Sequence, residues 1–188
     1  MRYTAEETAE KHRRLVEVAA NMMRKDGLDG VSISEVMKAA GMTHGAFYSH
    51  FKTKEEMAEE ALAWVSDKTD SATTETITTA AEPLAALLKS YLSTDHRDNT
   101  AAGCTIATMS IEAGRKDFGR GVLTMQIKRW VQKLADGIKW KKNDANRNQA
   151  ILTVSAMVGG LILARTVNDE ILSDEIMAVL REEIGRLE

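Results

Sequence analysis

The sequence predicts an all-α protein, and three features carry that prediction. The 188-residue chain contains a single proline. It is rich in Ala, Leu, Met, Glu and Lys, which lose little freedom on entering a helix. No run of β-branched residues alternates between turn signals as a strand would. A hydrophobic content of 44% supports an ordinary globular core.

The first helix is expected from about Ala5 to Lys25, because Leu15, Val18, Ala19, Met22 and Met23 recur at one-face spacing. Asp26-Gly27 and Asp29-Gly30 stop it. Ser32 with Glu35 three residues later forms a capping box that opens a second helix, with Ile33, Val36, Met37 and Ala40 as its apolar stripe. Gly41 suits the left-handed position past that helix end. Thr43 is then expected to cap a short third helix in which Phe47 and Phe51 share an apolar face. Thr53 and Glu56 form a second capping box, starting a helix to about Ser66.

Residues 67–81 are rich in threonine and poor in large apolar groups, and read as a frayed end or a loop. Pro83 fits the first turn of a helix to about Ser93. Thr94 to Ala101 reads as a polar loop. Helices are expected over Gly103–Gly114, Asp117–Ile138 and Asn146–Val167, with a basic link at Lys139–Asn143. The helix at 146–167 is expected to be buried on more than one side. A last helix opens near Ser173.

Residues 1–54 hold nine Lys or Arg against seven acids, and the remainder holds sixteen against twenty-one. A weakly basic head on an acidic body fits nucleic-acid binding by one end only. The helix, glycine turn and short polar-faced helix over about 32–51 have the layout of a helix-turn-helix, whose second helix enters the DNA major groove. The division expected is 1–54 as a DNA-binding head and 55–188 as a helical body. The lone Cys104 excludes an internal disulfide and suits a reducing cytoplasm. No apolar N-terminal run reads as a signal peptide, and the apolar stretch from Ile151 to Ala164 is too short to span a bilayer. A soluble cytoplasmic protein with no membrane partner is expected.

Residues 11–64 resemble the DNA-binding head of the tetracycline-repressor (TetR) family of bacterial regulators. The resemblance is carried at fixed spacing by Gly41, Met42, Thr43, Gly45, Phe47, Tyr48, His50, Phe51, Thr53, Lys54 and Glu55. Gly103-Cys104, Glu112 and the segment from Gly159 to Arg165 resemble one branch of the family, although Thr105 stands where that branch often has proline.

The resemblance implies that Thr43 bonds a phosphate, that His44, Gly45 and Ala46 face base edges, and that Tyr48 and His50 reach the backbone. It implies hydroxyl or amide contacts from Ser32 and Ser34, and a phosphate held by Lys54 with the amides opening its helix. No Arg, Asn or Gln stands on this surface, so readout falls to histidine contacts, thymine methyls, bridging water and groove shape.

In the body, Trp64, Tyr91, Met109, Phe118, Met125 and Trp130 are candidates to line a small-molecule pocket, or else are plain core. Glu112 either anchors a polar or cationic ligand group or faces solvent. Cys104 is either a buried hydrophobe or a sensor of oxidants or electrophiles. Gly159 and Gly160 inside an apolar helix point to close helix packing; with Leu163, Ile176 and Leu180 of the last helices they are candidates for a two-fold four-helix interface, as in family dimers.

No nucleophile elbow, phosphate loop, paired-cysteine or HExxH pattern is present, and the histidines are scattered, so neither catalysis nor a metal or other cofactor is expected. The reading is a homodimeric regulator, a repressor released from a palindromic DNA operator by a small-molecule effector. Two alternatives stand beside it: a Cys104-based sensor on the same scaffold, and a helical ligand carrier whose head does not bind DNA.

Overall fold

A computed structural model describes residues 4–116, 119–141 and 145–188. Among these, every regular element is helical: α1 (Ala5–Asp26), α2 (Ile33–Ala39), a 3₁₀ helix (His44–Ser49), α3 (Lys54–Thr79), α4 (Pro83–Tyr91), α5 (Thr94–Asp98), a 3₁₀ turn (Thr100–Ala102), α6 (Thr105–Lys116), α7 (Arg120–Gly137), α8 (Asn146–Thr166) and α9 (Glu170–Gly185).

The head is built from α1, α2, the 3₁₀ helix and the start of α3. Leu15, Ala19 and Met23 of α1, Val36 and Met37 of α2, and Phe47, Phe51 and Met57 are all buried. The Ser32–Glu35 capping box forms with both reciprocal bonds. Gly41 has φ 75°, and around it Met42 N–H donates to Met37 O (2.8 Å) and Gly41 N–H to Lys38 O (3.0 Å). That pair of bonds is the Schellman closure, which favours glycine at this position.

Three local expectations are corrected. The third element is 3₁₀ rather than α, and Thr43 makes no side-chain capping bond to it. At Thr53 half the capping box forms: Thr53 Oγ1 accepts from Glu56 N–H (3.1 Å), while the Glu56 carboxylate accepts from Lys52 N–H (2.6 Å) instead. Thr94–Ala101 is not a plain loop but holds α5 and most of a 3₁₀ turn, started by Ser93 accepting from His96 N–H.

The largest correction concerns α3, which does not stop near Ser66 but runs 26 residues through the threonine-rich stretch to Thr79. Weak intrinsic propensity is overridden in two ways. The hydroxyls of Ser71, Thr74, Thr76 and Thr79 donate to carbonyls four residues back, at 2.8–3.0 Å, and so are satisfied within the helix, and Thr74 Oγ1 also accepts from the Lys133 ammonium of α7. Asp67 and Asp70 also pair with Arg129 and Lys133 of α7, at 3.2 and 2.9 Å.

The body packs α3 against α7, which in turn packs on α8, and α8 on α9, while α4 packs on both α3 and α9. Trp140, beyond α7, is buried with its Nε1–H donating to Leu134 O. At 21 residues α8 is long and apolar enough to cross a membrane, longer than its uninterrupted apolar run indicates. It is a core helix in this fold, and its outward face is apolar as well. Ala150, Thr153, Val154, Met157, Gly160, Leu161 and Ala164 face inward, while Ile151, Leu152 and Leu163 are exposed. The expectation that α8 is covered on more than one side therefore fails within a single chain.

Candidate nucleic-acid interface

The 3₁₀ helix is fixed from beneath and open above. Phe47 and Phe51 anchor it in the head core, with ring centroids 5.7 Å apart. Tyr48 projects from the opposite side with 65% of its surface exposed, its ring edge-on to both Phe47 and His44. Thr43, His44 and Gly45 are exposed beside it, and Ala46 is half-buried.

Gly45 has ordinary backbone geometry, and a Cβ added there would meet nothing within 4 Å. Nothing inside the chain requires glycine at that position. Gly41, by contrast, is required by its own positive φ.

Ser32, Ser34, His44 and Lys54 line one surface groove of about 560 Å³, together with Asp29 and Glu35. The Ser32 hydroxyl is engaged in capping, donating to Glu35 Oε2 at 2.6 Å, while Ser34 is exposed. The same bonds to Ser32 pull the Glu35 carboxyl below its ordinary range. His50 is set apart from the groove. It stacks on His12 of α1, with ring centroids 5.5 Å apart, and burial with the neighbouring His12 lowers its pKa. His12 in turn bonds Glu60 of α3 at 2.6 Å.

In the body, a cleft of about 820 Å³ lies between α3, α4, α5 and α7. Of the proposed pocket residues, Tyr91, Cys104 and Trp130 line it. The others do not. Met109 is fully buried core, Met125 is 54% exposed, and Trp64 lies half-buried under the Lys68 ammonium, 3.8 Å from its ring. Phe118 lies outside the described residues.

Glu112 is neither a ligand anchor in the cleft nor a free surface acid. Its carboxylate accepts from Leu28 N–H (2.9 Å) and Asp29 N–H (3.2 Å), fastening α6 to the turn between α1 and α2. Sequence reasoning missed His96, Asn99 and the threonines of α3 as cleft residues. The signal was present in the hydroxyl-rich segment 67–81, once that segment is helical.

Of the dimer candidates, Gly159 faces open space, and Leu163 beside it is 55% exposed. Gly160 instead packs inside the chain, where a Cβ would run into Leu180 of α9. Those two residues are accounted for by α8–α9 packing within one chain, and Ile176 is half-buried.

Comparison with known proteins agrees with this architecture. The family profile "Bacterial regulatory proteins, tetR family" matches residues 15–61. An HTH-type transcriptional regulator of Mycobacterium tuberculosis is 30% identical over 172 residues, which cover 83% of this chain and 84% of that protein. The chain belongs to the TetR family. The HTH-type transcriptional repressor KstR2 of Mycolicibacterium smegmatis is 28% identical over 145 residues, covering 72% of this chain and 68% of that one. The crystal structure of a TetR-family transcriptional regulator from Cytophaga hutchinsonii superposes with a TM-score of 0.81 at 20% identity, over 100% of this chain and 98% of that one, and shares the fold. The TetR-family chain described here is a DNA-binding transcriptional regulator with a helix-turn-helix head and a helical body.

Proposed function

We propose that this TetR-family protein is a repressor that binds a palindromic operator as a homodimer and is released by a small molecule held in the body cleft. The observation that carries the DNA-docking part is the open face of the 3₁₀ helix. There Gly45 faces empty space, Tyr48 stands exposed, and Lys54 and His44 share a groove with Ser32 and Ser34. In this docking His44, Gly45 and Ala46 lie against base edges, and Thr43, Tyr48 and Lys54 hold phosphates. His50, stacked on α1, supports the reader and reaches the backbone from its edge.

A homodimer is supported by the uncovered apolar residues of α8 and α9, namely Ile151, Leu152, Leu163, Ile171, Leu172 and Val179. Gly159 lets a second copy approach closely. Communication runs along α3, whose first residue lies in the head groove and whose Thr69–Thr76 segment walls the cleft about 28 Å away at 1.5 Å per residue. A ligand that prefers one position of α3 shifts the equilibrium by its differential affinity, and no further.

The Cys104 sensor reading is less well supported. The thiol is buried, and burial pushes its pKa up, away from the thiolate that such chemistry needs.

Selection of bound sequences from a random DNA pool by the purified protein tests the proposal. A palindrome with half-sites spaced by one helical turn or a multiple is the expected result. Affinity should fall steeply with salt, and less steeply in Lys54→Ala. No enrichment at low salt would favour the ligand-carrier alternative.

A further inference from the structure

We infer that the body cleft takes an uncharged ligand with a flat, largely apolar skeleton and one carbonyl-type acceptor, which receives a hydrogen bond from the Tyr91 hydroxyl. The inference rests on the reading of this cleft as the effector site and names the chemistry of its ligand.

The hydrogen-bonding groups of the cleft wall decide the polarity. Thr76 donates its hydroxyl proton to Ala72 O and Ser93 to Ser90 O. Thr73 Oγ1 accepts from Trp130 Nε1–H at 3.1 Å, so the indole has no donor left and offers the cleft its ring. Asn99 Oδ1 accepts from Ala102 N–H. Tyr91 is different. It is 8% exposed and lines the cleft, and its hydroxyl, hidden from water, has no partner stronger than the neighbouring Cys104 thiol. A buried phenol in that state carries an unmet desolvation cost, which an incoming acceptor removes. The Cys104 thiol beside it is too weak an acceptor to do the same.

The ionisable groups of the inner wall decide the charge. His96 Nδ1 lies 2.6 Å from Tyr91 O. A carbonyl can only accept, so Nδ1 carries the proton and Nε2 presents a lone pair. Burial lowers the pKa of His96 and raises those of Tyr91 and Cys104, so all three are neutral at physiological pH.

The two charged lining residues, Lys89 and Asp95, are exposed and of opposite sign. Arg165, whose charge acts on Tyr91, Cys104 and His96, does not line the cleft, and its donors go to His96 O (2.6 Å) and Arg97 O (2.9 Å). Arg24, also near Cys104, bonds Asn21. A ligand charge would therefore lose water and gain no buried counter-ion. The rings of Tyr91 and Trp130 pack on each other, 5.4 Å apart and tilted, and form an aromatic wall of the cleft that favours a flat skeleton laid along it.

Four probes on one skeleton test this by calorimetric titration at neutral pH without DNA: biphenyl, acetylbiphenyl, biphenyl carboxylate and (biphenylmethyl)ammonium. The ketone should bind saturably and about tenfold or more tighter than either ion. Tyr91→Phe, verified as folded by circular dichroism, should weaken the ketone by roughly tenfold and leave biphenyl unchanged. Ala86→Trp, which puts an indole into the cleft from its wall, should weaken binding of the ketone by about tenfold or more.

An ion that binds as tightly as the ketone would overturn the inference. So would equal losses for ketone and biphenyl in Tyr91→Phe, ketone binding undiminished in Ala86→Trp, or no saturation up to about 1 mM. Because no DNA is present, binding of the ketone by a protein that selects no operator would sink the repressor reading and leave the ligand class standing. An operator-binding protein that rejects the ketone would do the reverse.

Discussion

The head and the body of this protein handle buried space in opposite ways. Around Phe47 the head is filled by Leu15, Val36, Met37, Phe51 and Met57, and its caps and turn bonds are satisfied locally. The body keeps a cleft of about 820 Å³ and hides side-chain polar atoms without partners on Tyr91, Thr105, Gln126, Arg129, Asn146 and Thr153. Arg24, facing the body from α1, is the one such residue in the head among those described. A surface that must present fixed contacts to DNA gains from a core with one arrangement. A region that responds to a ligand needs room and interactions that are completed by occupancy.

The largest expected effect separates the two regions by stability. Phe47→Ala should cost about 3–5 kcal/mol, because the close-packed head cannot collapse into the hole. Tyr91→Phe in the body removes a hydroxyl with no partner stronger than the Cys104 thiol, and should be neutral or stabilising. Denaturant melts of both variants measure this contrast. A large loss in Tyr91→Phe would show that the body is as tightly specified as the head.

The next effect tests whether the head's exposed face serves DNA rather than folding. Tyr48→Ala should leave the melting curve within about 0.5 kcal/mol of the parent, since the ring is mostly in solvent. Operator affinity should fall by about 1.5–3 kcal/mol per copy, the scale of a hydrogen bond to a charged group. Operator titrations by fluorescence anisotropy would show it. Unchanged affinity would move the DNA contact surface off the 3₁₀ helix.

A smaller effect probes the joint. Glu112 carries α6 to the backbone of Leu28 and Asp29, and Gln in its place can still accept one of the two bonds. Glu112→Gln should cost about 1 kcal/mol and speed hydrogen exchange at the Leu28 and Asp29 amides. Exchange that stays slow would mean that α1 and α3 alone hold the head in place.

The same division governs what the sequence makes legible. In the head, signals are local. Ser32 with Glu35, Gly41 at φ 75° and the Phe47–Phe51 pair each act within a few residues, and each is found as expected. Where the head departs, Glu56 takes the Lys52 amide in place of the adjacent Thr53 amide, and Thr43 makes no capping bond. In the body, the decisive partners are remote. The threonines of α3 are helical because of Arg129 and Lys133, some 60 residues on. Glu112 finds its partners 84 positions back in the chain. Gly160 is explained by Leu180, and nothing short of the packed helices distinguishes it from Gly159. Cleft residues follow the same rule, since Thr73 of α3 and His96 of α5 come to line one cleft only when the helices are packed.

The smallest effect is a pH dependence shared unequally between the regions. His50 in the head and His96 in the body both have pKa values below 6.5, chiefly through burial. In the unfolded chain each takes a proton near pH 6.5, while in the folded chain each resists until lower pH. Between those values the unfolded state binds more protons, so stability is full above about pH 6.5 and falls as pH drops toward the folded values. Glu35 and Asp98, whose pKa values lie below the usual carboxylate range, lose their contribution only at still lower pH. The window from about pH 6.5 down to 5 is therefore governed by the histidines. His96 stands edge-on to Tyr91 at 4.6 Å and carries its Nδ1 bond, whereas His50 stacks on His12 at the edge of the head. Melting temperatures across this window should flatten more in His96→Asn than in His50→Asn. An equal flattening would place the two rings in equivalent surroundings and erase the contrast between a cleft wall and the edge of the head.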